Sequence, residues 1–564
     1  MTDIFEGLNE EQREAVAAIE GPLLIVAGPG TGKTMTLVRR ISYLVERGVN
    51  PSEILAVTFT NRAAREMRER TDLLLGKTGR EVRIGTFHLL GLQIMREAFH
   101  HEFRVCGPKE QSDILAGIAG DRKAGQKIGE KIGRVKDLME KADDELKPLF
   151  DAYQSRLCEK GLYDFEDLIR IPIEILDARV SCGGFGTGFQ YIMVDEYQDI
   201  NPAQYRLMRS ILNGHENLCA VGDSDQAIYG FRGADMENFL RFETDFPRAR
   251  RIILSRNYRS SKIIVSASSD LIRHNRRRID KELGAVKEEG TAIILLTVPD
   301  EKAEAKAIVR EIEHRMGGTS HFSIDRSLGS GTIWGDGHGF SDFAVIYRIN
   351  TQAGTLEEAF FDSGMPFQVV RGGGPAGAAR MTEILRKRME EGINCSDLPE
   401  LVNSLCIEAE ASEKDRALLF QIVSAYSDLP ADQALLLIMD ELSLLSSGDS
   451  FDPKADAVSL MTLHSAKGLE FKTVFIAGAE DGLTPSLMAK GEFEKEEERR
   501  LFYVGMTRAK DELIFTRAQS RFMYGERRTT CPSPFLGEIS QQWLERRDVQ
   551  KSATRAGKKQ MKLF

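Results

Sequence analysis

Short apolar runs alternate with amphipathic stretches along most of this chain. The runs have the length and β-branched content of buried strands, and the stretches between them repeat apolar residues at helical spacing. The predicted strands are Leu23–Ala27, Ile54–Thr58, Tyr191–Val194, Leu218–Val221, Ile252–Leu254, Ala292–Leu296, Phe343–Tyr347, Val458–Thr462, Val474–Ala477 and Glu512–Thr516. This alternation predicts an α/β fold with parallel sheets.

Two long segments interrupt the alternation. Residues 93–162 and 376–447 have mostly helical patterns, and we expect each of them to be a helical insertion. Residues 317–341 contain seven glycines without a clear period, which predicts a long loop or a flexible hairpin. The run Gly372-Gly373-Gly374 is predicted to be a hinge into the second insertion.

Composition narrows the class of protein. The chain has 564 residues, 42% hydrophobic and 29% charged, which is typical of a globular protein with several domains. No apolar stretch approaches the roughly 20 residues that cross a bilayer. The seven scattered cysteines include no CxxC pair, so we expect a reducing, cytoplasmic environment.

Charge is distributed unevenly. The net charge is −10, which argues against a surface that binds nucleic acid everywhere. Residues 241–280, however, carry eleven Lys or Arg against four Asp or Glu. The chain can therefore meet an anionic partner in specific grooves.

A glycine-rich segment follows the first predicted strand and precedes an amphipathic helix. Backbone N–H groups of such a loop surround phosphate oxygens, and the helix N-terminus adds partial positive charge. Lys33 is placed to reach the outer phosphates, and Thr34 to hold Mg²⁺. The residues predicted to bind nucleotide here are Ala27, Gly28, Pro29, Gly30, Thr31, Gly32, Lys33 and Thr34.

Two further strands end in polar side chains suited to ATP hydrolysis. Asp195 and Glu196 follow Tyr191–Val194, and we expect Asp195 to hold Mg²⁺ through water and Glu196 to polarise the attacking water. Gln226, in a turn after Leu218–Val221, is a predicted sensor of the terminal phosphate. Arg259 and Arg508 are candidate arginine fingers, although each alone also fits an ordinary surface arginine.

Taken in order, these segments resemble the superfamily-one helicases of the UvrD/Rep type, over more than half of the chain. The matching segments are Leu8-Asn9-x-x-Gln12, Thr58–Ala64, Gly85–His88, Tyr163–Leu168, Asp195–Asn201, Gln226–Ala234, Asn257–Ser260, Thr462–Phe471 and Glu496–Arg508. Each would be weak by itself, and the specificity lies in their number and order.

The resemblance implies two RecA-like, P-loop motor domains with one ATP site in the cleft between them. It implies that Gln12 reads adenine, that Tyr258 stacks on it and that Glu470 contacts the ribose. Arg259 and Arg508 would close on the phosphate, so that ATP hydrolysis is coupled to domain motion. Met35 departs from the family, in which an arginine is common after the Lys-Thr pair.

The same resemblance predicts a track for single-stranded DNA. Aromatic rings there would stack on bases without reading their sequence. Arg62, Arg65 and Arg68 recur along one helix and form a predicted basic edge, although a solvated face explains them equally well. The predicted DNA-binding residues are Phe59, Asn61, His88, Tyr229, Phe231, His464 and Tyr524.

Domain boundaries follow from the motifs. The first motor domain is predicted at 1–92 and 163–250, with its insertion at 93–162. The second is predicted at 251–370 and 456–540, with an insertion at 371–455 that is much shorter than in full-length relatives. Strand translocation should survive this reduction, whereas unwinding strength is in question.

Two features follow the last motor motif. Ala518–Gly525 resembles the family's hairpin at the duplex junction, with Tyr524 as the wedge. The basic tail 541–564 ends in Gln560–Phe564, which resembles a peptide that docks into replication sliding clamps; a frayed terminus is the alternative.

The sequence therefore predicts an ATP- and Mg²⁺-dependent DNA helicase or translocase moving 3′→5′ on single strands, in DNA repair or replication. One alternative is a translocase that strips proteins from DNA and unwinds weakly. Another is a clamp-tethered DNA-binding module without enzymatic activity. Stacking and backbone contacts do not distinguish DNA from RNA.

Overall fold

A computed structural model of the chain describes residues 3–99, 103–181, 187–317, 338–370, 376–390, 398–409, 411–424, 426, 431–445, 451–523 and 525–549. The strands are β1 (Leu23–Ala27), β2 (Ile54–Thr58), β3 (Arg83–Thr86), β4 (Arg104–Val105), β5 (Leu162–Tyr163), β6 (Tyr191–Val194), β7 (Leu218–Gly222), β8 (Arg250–Leu254), β9 (Arg256–Asn257), β10 (Gly284–Ala285), β11 (Ile293–Asp300), β12 (Phe343–Tyr347), β13 (Phe367–Val370), β14 (Val458–Thr462), β15 (Phe471–Ala477), β16 (Ala509–Met523), β17 (Glu526–Thr529) and β18 (Leu544–Asp548).

The α-helices are α1 (Glu10–Ala17), α2 (Lys33–Glu46), α3 (Asn61–Leu75), α4 (Phe87–Ala98), α5 (Pro108–Ala119), α6 (Arg122–Asp137), α7 (Lys147–Glu159), α8 (Asp167–Ser181), α9 (Pro202–Leu212), α10 (Glu237–Leu240), α11 (Phe242–Asp245), α12 (Lys262–Ile272), α13 (Glu301–Arg315), α14 (Ala353–Ser363), α15 (Ala376–Glu390), α16 (Leu398–Glu408), α17 (Glu413–Ser424), α18 (Ala431–Ser443) and α19 (Glu492–Met506). Every predicted strand is confirmed, most of them with the same ends or with a few added residues.

The chain divides into two compact units. Unit 1 comprises Met1–Asn257, Arg277–Leu283 and Gly372–Asp452, and unit 2 comprises Tyr258–Arg276, Gly284–Arg371 and Pro453–Phe564. The chain therefore passes between the two units several times.

Unit 1 is built on a six-stranded parallel sheet in the order β3-β2-β6-β7-β1-β8. Along β1, Leu24 and Val26 join one hydrophobic core while Leu23 and Ile25 join another, because successive side chains point to opposite faces. Helices cover both faces, as expected for a parallel sheet. The sheet extends to Leu254 because β8 pairs with β1, so it passes the predicted domain boundary at residue 250.

The first insertion forms a small helical layer within unit 1. Helices α5, α6 and α7 pack around their own core, which includes Ile114, Ile132, Tyr153 and Leu157. Lys136 lies 2.5 Å from Asp164 and 3.0 Å from Asp167, and these three side chains are almost completely buried. A buried charge needs such partners, and this cluster therefore ties α6 to the start of α8.

The second insertion packs within unit 1, although its sequence interrupts that of unit 2. Its helices have their own core, and Leu444 joins Leu92 and Met95 in a further cluster. Arg96 Nη2 lies 3.0 Å from Asp440, and Asn61 Nδ2 donates to the Leu444 carbonyl at 2.9 Å. The predicted boundaries remain predictions, but this segment contacts helices α3 and α4, which precede it in the sequence.

Unit 2 contains an eight-stranded sheet with the path β13-β14-β12-β15-β16-β11-β18, in which β17 pairs with β16. All its pairs are parallel except β16–β17, which forms a hairpin. Two parallel α/β sheets confirm the predicted fold class.

Some predicted features lie outside the described residues: the Gly372–Gly374 hinge, Tyr524, the Gln560–Phe564 peptide and most of the glycine-rich segment 317–341. Among the residues that the structure describes, no helix is both long and apolar enough to cross a membrane.

Candidate nucleotide site and nucleic-acid track

The phosphate loop leaves the carboxyl end of β1 and leads into α2. Gly30 and Gly32 have φ values of 69° and 82°, which non-glycine residues rarely adopt. Thr31 Oγ1 donates to the Gly28 carbonyl at 2.8 Å, and α2 begins at Lys33. Backbone N–H groups are therefore gathered at a helix N-terminus, which is an arrangement that binds phosphate.

Residues distant in sequence hold this loop. Gln12 Nε2 donates to the Thr31 carbonyl at 2.9 Å, and Asn257 Nδ2 donates to the Pro29 carbonyl at 2.7 Å. Gln12 also accepts from the Asn9 N–H, so in this structure the predicted adenine reader is bound to the protein itself. Its predicted role with adenine remains a prediction.

The two predicted carboxylates follow β6 at the same edge of the sheet. Asp195 is 5% exposed, and Glu196 has a φ of 52°, an unusual value for a residue with a side chain. Glu196 Oε1 lies 3.6 Å from Lys33 Nζ. Carboxylate and hydroxyl oxygens are the ligands that Mg²⁺ prefers, so the chemistry of Asp195 and Thr34 fits the predicted metal.

A chain of hydrogen bonds joins Glu196 to the predicted phosphate sensor. Gln198 Nε2 donates to Glu196 Oε2 at 2.5 Å, and Gln198 Oε1 accepts from the Asp223 N–H at 2.9 Å. Asp223 Oδ2 in turn accepts from Gln226 Nε2 at 2.6 Å. The ends of β6 and β7 are thereby connected by side chains, and Gln226 has a fixed direction.

The segment Arg277–Leu283 closes this group from the other side. Lys281 donates to Asp223 at 2.5 Å and also to Asp225, and all three side chains are buried. Burial alone would lower the pKa of Lys281, but Asp223 and Asp225 raise it above its usual value. Lys281 is therefore charged at neutral pH.

The predicted aromatic track is assembled in unit 1. The rings of Phe59 and Tyr229 are stacked, with centroids 4.8 Å apart and an interplanar angle of 19°. Phe231 is 64% exposed, and Arg232 lies 5.5 Å from the ring centroids of both Tyr229 and Phe231. The structure thus brings together one exposed ring, two half-buried rings and a cation, which suits stacking on bases.

Other predicted DNA-binding residues are more enclosed. The rings of His88 and Phe165 are 4.0 Å apart, and burial lowers the pKa of His88 to about 3, so its imidazole is neutral. Asn61 is 7% exposed and donates to the second insertion. His464, in unit 2, is half-buried.

The predicted basic edge of α3 has partners inside unit 1. Arg62 lies over the Phe451 ring at 4.8 Å, and Arg65 lies 3.6 Å from Glu441. Arg68 donates to the Ile84 carbonyl at 2.9 Å. In this structure the three arginines of the predicted basic edge therefore contact protein groups of unit 1.

Unit 2 holds the two candidate arginine fingers in different ways. Arg259 Nε donates to Glu470 at 2.7 Å, and Lys510 Nζ lies 2.8 Å from the same carboxylate. Arg508 is 2% exposed and donates to the carbonyls of Val504 and Leu469 at 2.9 and 3.1 Å. Glu470, the predicted ribose contact, is thus paired with one predicted finger, and Tyr258 is 42% exposed.

Family models match almost the whole motor portion of the chain. The model of the UvrD/REP helicase N-terminal domain matches residues 8–247, and that of the UvrD-like helicase C-terminal domain matches residues 252–374 and 383–520. The chain belongs to the UvrD/Rep family of helicases.

Curated relatives of this UvrD/Rep-family chain extend the match. It is 32% identical to the ATP-dependent DNA helicase PcrA of Staphylococcus aureus strain MRSA252 over 674 residues, which cover 98% of this chain and 89% of the relative. The PcrA of Staphylococcus epidermidis is also 32% identical, with 100% and 90% covered. Since both alignments exceed 564 residues, the relatives carry segments that this chain lacks.

Motif reading of the UvrD/Rep-family segments missed some residues of the site. Gln198 and Asn257 lie inside quoted motifs, but nothing in the sequence showed that they hold Asp223 and the phosphate loop. Lys281 lies in no motif and follows a run of arginines that resembles a solvated face. Its contact with Asp223, the residue that holds the predicted sensor Gln226, is visible only in the structure.

Proposed function

We propose that this chain is an ATP- and Mg²⁺-dependent DNA helicase that moves 3′→5′ along single-stranded DNA. The observation that carries the proposal is the connected set Lys33, Glu196, Gln198, Asp223 and Gln226 at one edge of a parallel sheet. Family membership and the PcrA relatives support the same activity. The cytoplasmic location remains a prediction.

The residues of unit 1 divide the work of hydrolysis. Lys33 and the loop amides would bind the phosphates, and Thr34 and Asp195 would hold Mg²⁺. Bound ATP would supply the phosphoryl group, and Mg²⁺ held by these residues would offset charge on its oxygens. Glu196, which lies beside Lys33, would polarise the attacking water and take a proton from it, and Gln226, which is bonded to Asp223, would sense the terminal phosphate.

Residues of unit 2 are proposed to complete the reaction. Arg259 and Arg508 would stabilise charge on the transferred group, as arginine fingers do. Tyr258 would stack on the base and Glu470 would contact the ribose, and the support for both is the order of the family motifs.

The Phe59–Tyr229 stack is proposed to be the central part of the DNA track. Stacking contributes about 1–3 kcal/mol per base and tolerates any sequence. Phe231, Asn61, His88, His464 and Tyr524 would extend the track. The neutral His88 would contact DNA as a hydrogen-bonding or stacking group, since it carries no charge at neutral pH.

DNA-stimulated ATP hydrolysis by the purified chain tests the enzymatic proposal. Single-stranded DNA should raise kcat, and Lys33→Ala should abolish both basal and stimulated hydrolysis. A Phe59→Ala variant should need more DNA for half-maximal stimulation while keeping its basal rate. A wild-type rate indifferent to DNA would contradict the proposal.

Strand displacement separates the helicase from the second candidate, a translocase that strips proteins and unwinds weakly. The observation that favours this second candidate is the extra sequence that the relatives carry. A duplex with a 3′ tail should be unwound and one with a 5′ tail should not. Displacement of streptavidin from biotinylated single strands, without unwinding, would support the alternative.

A further inference from the structure

The seven residues Arg277–Leu283 belong to unit 1, although the chain on both sides of them belongs to unit 2. They lie against the turn that follows β7 and against the phosphate loop. A Cβ on Gly28 would lie 2.7 Å from Leu283 Cδ1, so Leu283 sits directly on the loop. This segment, which we call the strap, therefore contacts two of the elements that form the nucleotide site.

The strap grips the β7 turn through several polar contacts. Arg278 donates two hydrogen bonds to Asp225, at 2.9 and 2.8 Å, and the Ile279 N–H donates to Ser224 Oγ at 3.1 Å. Lys281 donates to Asp223 and to Asp225. Two cations thus meet two buried carboxylates, whose charges cancel, while the exposed Asp280 also lies 3.1 Å from Arg278 Nη1.

Burial makes this group sensitive to the loss of any member. Lys281 is 1% exposed and Asp223 is 0% exposed, so water cannot replace a missing partner. Cations lower the pKa of Asp225 although its burial opposes them, and the carboxylate stays ionised. Without Lys281, Asp225 would keep Arg278, but Asp223 would lose the cation paired with it, and repulsion from Asp225 would move Asp223.

Movement of Asp223 would reach both ends of the catalytic set. One of its oxygens orients Gln226, and its N–H is bound by Gln198, whose amide in turn donates to Glu196. Two hydrogen bonds connect Lys281 to Gln226 through Asp223. Three connect it to Glu196, through Asp223 and Gln198.

We propose that Lys281 is a positioning residue for ATP hydrolysis, acting through Asp223 to hold Gln226 and Glu196 in their working directions. The inference rests on the proposed function, because it assumes that this site hydrolyses ATP. The hydrogen bonds and ion pairs of Lys281 within the described part of the chain go to Asp223 and Asp225 and not to the phosphate loop or Glu196, so it should affect turnover rather than nucleotide binding.

Steady-state hydrolysis with saturating single-stranded DNA tests this role. Lys281→Met should lower kcat by roughly 10–100-fold, as loss of a supporting contact does, while KM for ATP changes by less than about 3-fold. Lys281→Arg should recover much of the rate, because a cation is restored. Arg277→Met is the matched control, since Arg277 belongs to the same strap but pairs with Glu237 at the surface, 44% exposed.

A second variant distinguishes positioning from simple charge compensation. Lys281→Met combined with Asp225→Asn leaves Arg278 and Asp223 as one cation and one anion, so it should melt closer to the wild-type protein than Lys281→Met alone. Slow turnover in a double variant that melts like the wild type supports the proposal, and full recovery of kcat overturns it. An active wild type with an equally active Lys281→Met variant defeats this inference alone, whereas an inactive wild type defeats the proposed function.

Discussion

The predicted phosphate chemistry of unit 1 and the predicted arginine fingers of unit 2 are built differently. In unit 1 each side chain follows the end of a parallel strand, and short side-chain contacts link one strand end to the next. In unit 2 Arg508 is enclosed by carbonyls of its own surroundings, and Arg259 shares Glu470 with Lys510. In unit 1 the ends of the parallel strands bring the candidate ligand-binding side chains together. In unit 2 both arginines are bonded to groups of the protein itself.

Because of this difference, the two arginines should require different free energies to leave their present partners and bind a phosphate. Arg259 can leave Glu470 with a remaining partner, Lys510, since that lysine lies 2.8 Å from the same carboxylate. Arg508 cannot move without taking a donor from the buried Leu469 carbonyl and one of two side-chain donors, the other being Thr507 Oγ1, from the Val504 carbonyl. Substitutions should therefore separate a chemical role from a structural one.

Removal of the Arg259 guanidinium or of the Glu196 carboxylate should have the largest effect on turnover. Arg259→Ala is expected to lower kcat by about 10³-fold, because an arginine finger stabilises charge on the transferred group. Glu196→Gln should lower it by about 10²–10⁴-fold through loss of the general base. Both variants should still bind a fluorescent ATP analogue, which stopped-flow titration would measure.

Lys287→Ala is the control for Arg259, because Lys287 forms an exposed ion pair with Asp511 in the same unit. Its kcat should equal that of the wild type. A fully active Arg259→Ala variant would show that the contacts of this arginine with Glu470 and the Thr507 carbonyl are structural only.

Arg508→Ala should lose stability as well as activity. The Leu469 carbonyl would lose a donor, the Val504 carbonyl would keep only Thr507 Oγ1 as a side-chain donor, and a large buried side chain would leave a cavity, so the free energy of unfolding should fall by about 3 kcal/mol. Arg259→Ala should change it by less than about 1 kcal/mol, since the Arg259–Glu470 pair is partly exposed. Urea unfolding followed by circular dichroism would compare the two variants. Equal stabilities would mean that Arg508 contributes no more to the stability of the fold than Arg259 does.

Gly222→Ala tests how tightly unit 1 is organised at the end of β7. A Cβ there would lie 2.3 Å from Gln198 Oε1 and 2.8 Å from a Phe239 ring carbon, so Gln198 must shift. We expect a loss of about 1–3 kcal/mol of stability and a fall in kcat, because Gln198 links Glu196 to Asp223. Differential scanning fluorimetry and the hydrolysis assay would measure the two effects.

Gly117→Ala in α5 is the matched control, since nothing lies within 4 Å of its Cβ. That variant should be neutral or slightly stabilised, by about 0.5–1 kcal/mol, because alanine favours helices. A Gly222→Ala protein with wild-type stability and kcat would mean that the sheet edge tolerates movement of Gln198.

Sequence reasoning succeeded where a motif lies at the end of a strand and failed where the partner is distant. The strands and the loop from Gly28 to Thr34 follow from local hydrophobic patterns and glycine positions. The contact of Lys281 with Asp223 joins residues 58 positions apart, and that of Asn61 with Leu444 joins residues 383 apart. Such contacts depend on how helices and strands pack together, and the local pattern of hydrophobic and polar residues carries no information about that packing. The placement of residues 372–452 in unit 1 is a further example.

The two units should also differ in how pH changes their stability. In unit 2, Arg259 and Lys510 hold the pKa of Glu470 below its usual 4.5, although partial burial opposes them. The ionised Glu470 therefore stabilises the fold above that pH, and its contribution is lost as the pH falls. Glu470→Gln should remove this acid sensitivity, which thermal unfolding between pH 3 and 6 would measure.

In unit 1, Asp137 at the end of α6 should give the opposite dependence of stability on pH. Burial raises the pKa of Asp137 from 3.8 to about 6, although Asn201 Nδ2 donates to it at 2.8 Å. Because the folded protein binds this proton more tightly than the unfolded chain, stability should fall as the pH rises from 4 to 6, by about 1–2 kcal/mol. Asp137→Asn keeps an oxygen acceptor for Asn201 and should remove most of that fall. If thermal unfolding of Asp137→Asn and of the wild type shows the same slope over this range, Asp137 is ionised throughout, and the two units then respond to pH in the same direction.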